Sequence, residues 1–161
     1  YAMQAVTPPM RAQQGGVIVN VSSILGKVVV PSLGMVGSSA GYTASKFALG
    51  AFSTAARMEL HAAGIHVMTV FPGVTRSEFN QNFLLTDSKQ RHKVRRTGSL
   101  MGVVSAERVA NRIVWAIERR KREVYITFKD RLFVLGANAT PGLFEWAMRW
   151  MRGKRLRDRE I

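Results

Sequence analysis

The chain contains no cysteine. Disulfides, thiolate nucleophiles and cysteine-held zinc are therefore excluded, and the composition suits a reducing, cytoplasmic setting. No apolar run approaches the ~20 residues that a membrane-spanning helix requires, and no signal-peptide pattern opens the chain. The three histidines, His61, His66 and His92, stand at no ligand spacing, so no metal site is expected. Negative charge is scarce: 10 acidic side chains face 24 basic ones, a formal net charge of +14. What remains is an ordinary globular mixture, 47% apolar and 21% charged over 161 residues, enough for one core and a single domain over 1–161.

The basic residues gather at 89–96 (KQRHKVRR), 119–122 (RRKR) and 149–159 (RWMRGKRLRDR). Such runs are compatible with nucleic acid, anionic membrane or acidic cofactors. Charge runs are most often solvated faces, and only the last cluster has aromatics interleaved with its basic residues. A nucleic-acid-binding module is therefore the weakest functional reading.

Along the chain, residues 1–14 suit a helix end stopped by Gly15 and Gly16. VIVNVSS at 17–23 and IHVMTVF at 65–71 read as buried strands, the second ended by Pro72 and Gly73. Between them, 42–63 carries apolar or small residues at helical spacing (Phe47, Ala48, Ala51, Phe52, Ala55, Met58, Leu60), with Gly64 as the stop. A polar stretch runs to about 104, long for a loop. Ser105 with Glu107 opens a helix to about Arg120, VYITF at 124–128 is a third strand, and the rest is helical with a break at Thr140–Pro141–Gly142. Alternating strands and helices with strands apolar on both faces predict an α/β fold with a parallel sheet.

Two motifs compete for the chemistry. The glycines of GMVGSSAG follow VVV at 28–30 and precede a helix, which is the layout of a phosphate loop. Their spacing, Gly34-x-x-Gly37-x-x-x-Gly41, matches no dinucleotide fingerprint, and the next strand ends without an acidic residue. The other motif is Tyr42 and Lys46 in YTASK, one helical turn apart on the same face. An ammonium beside a phenol favours the phenolate, so such a pair can exchange a proton with a hydroxyl or carbonyl near neutral pH. The pairing is common by chance, but here it has company. Ser22 and Ser23 end one strand and Pro72–Gly73 ends the next, at the carboxyl edge where open α/β sheets place their ligands.

With VIVNVSS, YTASKFAL and VFPGVTRSEF in this order, the chain resembles the short-chain dehydrogenase/reductase family over most of residues 1–130. The resemblance implies a partial Rossmann-like, doubly wound parallel sheet with flanking helices. It implies NAD or NADP as cofactor and hydride transfer to or from a small-molecule alcohol or carbonyl. Tyr42 would be the general acid/base, and Lys46 would hold the nicotinamide ribose and favour the Tyr42 phenolate. Ser23, which directly precedes Ile24-Leu25-Gly26, would bind the substrate oxygen. Pro72, Gly73, Val74 and Thr75 would line the nicotinamide, and Ser77 stands where the family has a phosphate-contacting threonine. The stretch 76–104 would be a substrate lid.

Two departures qualify the resemblance. The family's glycine-rich loop, its cofactor-selecting residue and its catalytic asparagine all belong upstream of Tyr1. The chain thus reads as a carboxyl-terminal portion, expected to bind dinucleotide poorly and to turn over little or nothing alone. A non-catalytic remnant serving as a binding or assembly piece is the alternative. In addition, Tyr42 stands 19 positions after Ser23, about six more than the family's usual gap, with the surplus in MVGSSAG at 35–41; a bulge there costs little when both flanks are anchored. In the helical basic tail, 130–161, Leu143, Phe144, Ala147, Trp150 and Met151 fall near one another on a helix. They suit packing on the substrate pocket, a partner subunit in a homo-oligomer, or peripheral contact with a membrane.

Overall fold

The computed structural model describes residues 1–30, 38–76 and 102–157. Helix α1 (Ala2–Ala12) leads into strand β1 (Gly16–Val21), and a 3-10 turn follows at Ile24–Gly26. Helix α2 (Ser38–Leu60) and a second 3-10 turn (His61–Ala63) precede β2 (Ile65–Phe71). Gly64, the predicted stop, takes the left-handed conformation (φ 70°) that glycine adopts without strain. Short strands β3 (Thr75–Arg76) and β4 (Val104–Ser105) pair in parallel. Helix α3 (Ala106–Glu118), strand β5 (Glu123–Tyr125) and helices α4 (Phe128–Ala139) and α5 (Pro141–Arg157) complete the described chain.

The main sheet has the order β1-β2-β5, all parallel, so α2 and α3 are crossover connections. β2 lies in the centre and is buried along nearly its whole length. Its alternate residues serve two layers. Ile65 and Val67 join Ile18 and Leu60 on the α2 side, while Met68 and Val70 join Ala116, Val124 and Ile126 on the α3 side. A third cluster, Ile24, Val28, Phe71, Val134 and Ala137, seats α4 over the carboxyl end of β2. Helices on both faces of a parallel sheet make this the α/β class that the strand pattern predicts, doubly wound as the family resemblance implies.

The structure departs from the predicted form in three respects. VYITF ends as a strand at Tyr125, because Thr127 and Asp130 form a reciprocal capping box that starts α4 at Phe128. α2 begins at Ser38 rather than at Tyr42, so part of MVGSSAG is its first turn; residues 31–37 lie outside the described residues. The face of α2 turned to the sheet carries Thr43, Ser53 and Leu60, whereas Phe47, Phe52 and Met58 point outward. α2 comes close to the 3-10 turn: a Cβ on Gly26 would stand 2.7 Å from the Lys46 carbonyl oxygen. Among the described residues no helix is long and apolar enough to cross a membrane.

Candidate active site

The carboxyl edges of β1 and β2 are tied together before any side chain is considered. Ser22 N–H donates to the Val70 carbonyl at 2.8 Å, and Ile24 N–H donates to the Pro72 carbonyl at 3.0 Å. The serine segment and the Pro72–Gly73 turn therefore form one rim. Both serines are buried, and their hydroxyls do different things. Ser22 Oγ donates to the Lys46 carbonyl at 3.0 Å, clamping α2 to the strand end. Ser23 Oγ accepts from Leu25 N–H at 3.2 Å as the cap of the 3-10 turn. An acceptor bond leaves the Ser23 O–H able to donate elsewhere.

Lys46 comes off α2 onto the same rim. Its Nζ donates to the Val21 carbonyl at 3.1 Å and lies 5.5 Å from the centre of the Tyr42 ring. Burial pushes the ammonium below the ordinary lysine range. The one-turn spacing places a cation against the phenol ring, with the strand end as its anchor. One carbonyl occupies one of three ammonium donors, so the group retains capacity for a diol such as a ribose.

On the other strand, Pro72 and Gly73 turn away at the end of β2. The Thr75 hydroxyl donates back to the Gly73 carbonyl at 3.3 Å, and the Val74 carbonyl accepts from Val104 N–H at 3.0 Å. The β3–β4 pair thereby closes the base of the predicted lid, whose residues 77–101, Ser77 included, lie outside the described residues. Tyr42, Lys46, Ser23, Pro72, Gly73, Val74 and Thr75 are all placed.

Three contributors were not assigned roles from sequence. Ser22 is a clamp. Gly26 is the clearance for that clamp, since a Cβ there would also meet Ser22 Oγ at 2.6 Å. Asp130, 3% exposed, backs the turn: its Oδ2 accepts from both the N–H and the hydroxyl of Thr127, and a Cβ on Gly73 would meet its Oδ1 at 2.6 Å. The Thr-x-x-Asp spacing of a capping box was the signal available for the last.

A doubly wound parallel sheet that gathers Ser23, Lys46 and the Pro72–Gly73 turn at the carboxyl ends of its strands is of the α/β class whose ligands bind at that edge. The short chain dehydrogenase profile matches residues 1–88, and the chain belongs to that family. It is 31% identical over 142 residues to mouse "dehydrogenase/reductase SDR family member 7B", covering 88% of this chain and 42% of that protein. A short chain dehydrogenase from Burkholderia cenocepacia, solved in complex with NADP, superposes with a TM-score of 0.68 at 25% identity, over 91% of this chain and 52% of that one. A short-chain dehydrogenase from Sphingobium yanoikuyae in complex with NADPH gives 0.61 at 25% identity, over 89% and 50%. The chain thus spans about half the length of the relatives it matches.

Proposed function

We propose that this chain carries the catalytic rim of an oxidoreductase acting on an alcohol/carbonyl pair with NAD or NADP. The observation that supports it best is the Lys46 ammonium, held between the Val21 carbonyl and the Tyr42 ring. Nicotinamide, when bound, supplies or accepts the hydride. In the reducing direction Tyr42 Oη gives a proton to the substrate oxygen; in the oxidising direction it takes that proton back. The Ser23 hydroxyl donates to the same oxygen and holds it. Lys46 keeps positive charge beside the phenol ring and binds the ribose hydroxyls with its remaining donors. Pro72, Gly73, Val74 and Thr75 present backbone to the nicotinamide, and Ser77 would contact phosphate. The outward Phe47, Phe52 and Met58 of α2 favour pairing with a second copy.

These residues suit the nicotinamide end of the cofactor, which makes the reading testable in halves. Nicotinamide mononucleotide titrated into the isotope-labelled chain should shift the amides of Val21, Lys46 and Gly73, and Lys46→Ala should abolish the shifts. Adenosine monophosphate should leave them unmoved. Equal responses to the two half-cofactors, or none to either, would remove the assignment.

A further inference from the structure

The last two helices leave apolar rows in solvent. α4 seats Val134 and Ala137 on the core, yet Phe128, Leu132 and Leu135 on its far side are each more than half exposed. Their i, i+4, i+7 spacing makes one stripe. α5 turns Phe144 inward, edge-on to Phe133 at 5.5 Å. Leu143, Trp146 and Trp150, at i, i+3 and i+7, are again more than half exposed. The single apolar face predicted for this helix is therefore divided, Phe144, Ala147 and Met151 turning in and Leu143 and Trp150 out.

The sequence of α5 is strongly basic: it holds Arg149, Arg152, Lys154, Arg155 and Arg157 against Glu145, and Glu145 is already paired with Arg149 at 3.0 Å. A second copy docked by two-fold symmetry would set this basic helix against itself, which like charges oppose. A nucleic acid would satisfy the arginines and leave the leucines and Phe128 without a partner. A bilayer rich in acidic headgroups satisfies both. Indoles settle at the headgroup level, leucine reaches the acyl boundary, and arginine meets phosphate.

We propose that the α4–α5 pair is a docking surface for an anionic membrane leaflet. α5 lies in the headgroup plane with Leu143, Trp146 and Trp150 toward the acyl chains. Since no described helix can span a bilayer, the attachment is peripheral and reversible by salt.

The test uses the 161-residue chain with two vesicle preparations, phosphatidylcholine alone and phosphatidylcholine with phosphatidylserine in equal parts. The chain should sediment with the acidic vesicles only, with a blue shift of tryptophan fluorescence. Leu143→Ser with Trp146→Ser should lower partitioning by about tenfold while circular dichroism is unchanged. Should that variant lose its fold, Arg149→Glu with Lys154→Glu should weaken binding to acidic vesicles alike. Equal binding to neutral vesicles would overturn the proposal. So would salt-sensitive binding without a fluorescence shift, or a dimer that the Leu143/Trp146 variant dissolves in the absence of any vesicle binding. No readout involves turnover, so the outcome is independent of the oxidoreductase reading.

Discussion

At Ser22 the hydroxyl is committed to the Lys46 carbonyl, so Ser22→Ala should cost about 1 kcal/mol, read as a lower denaturation midpoint. Gly26→Ala should cost more, about 2 kcal/mol, because its Cβ would meet both partners of that bond at once. Two other side chains set the alkaline behaviour, with opposite signs. Burial, helped by Glu123 and opposed by Arg131, raises the Tyr125 phenol to about 12 from its ordinary 10.0. The unfolded chain then loses that proton first, so stability is full below about pH 10 and falls toward about 12. Tyr125→Phe should flatten this slope in denaturation measured across that range. Lys46 is lowered by burial, so the unfolded chain holds its proton more tightly there. Its charge opposes folding at neutral pH, and the penalty is relieved as pH rises toward the ordinary lysine value of 10.5.

Among elements, β1 and β2 were legible because a buried strand needs only its own apolar residues and the glycine or proline that ends it. The strand in VYITF stops short of its apolar pattern for a local reason. The Thr127–Asp130 capping box is polar bookkeeping that competes with an apolar run, and it wins from Thr127 onward. Thr127→Ala should therefore destabilise by about 1 kcal/mol and loosen the support behind Gly73, visible as faster amide exchange at the Pro72–Gly73 turn. The orientation of α2 was not legible. Its aromatic residues promise a core face, but Thr43 and Ser53 go in, the Ser53 hydroxyl accepting from the Asn20 amide of β1 at 2.9 Å, and Phe47 and Phe52 go out. In the site, one-turn spacing made the Tyr42–Lys46 contact legible. The division of labour between Ser22 and Ser23 depends on which hydroxyl faces α2, and that requires the packed structure.

For the molecule as a whole, the catalytic reading is best tested by grafting residues 1–161 in place of the matching part of the Burkholderia cenocepacia dehydrogenase. The hybrid should reduce carbonyl compounds with NADPH, and Tyr42→Phe should lower its kcat by at least about a hundredfold. A folded hybrid that binds NADPH and reduces no carbonyl would support the non-catalytic remnant instead. One consequence of the sheet order reaches beyond chemistry. Among the described residues β1 has a neighbour on one side only. Ser22 N–H reaches β2, and successive amides along a strand point to opposite sides. The amides of Ile18 and Asn20 should therefore be slow in deuterium exchange, and those of Val17, Val19 and Val21 fast. That comb of alternating rates is a built-in gauge: any polypeptide laid along the open side of β1 would erase it, tooth by tooth, starting wherever pairing begins.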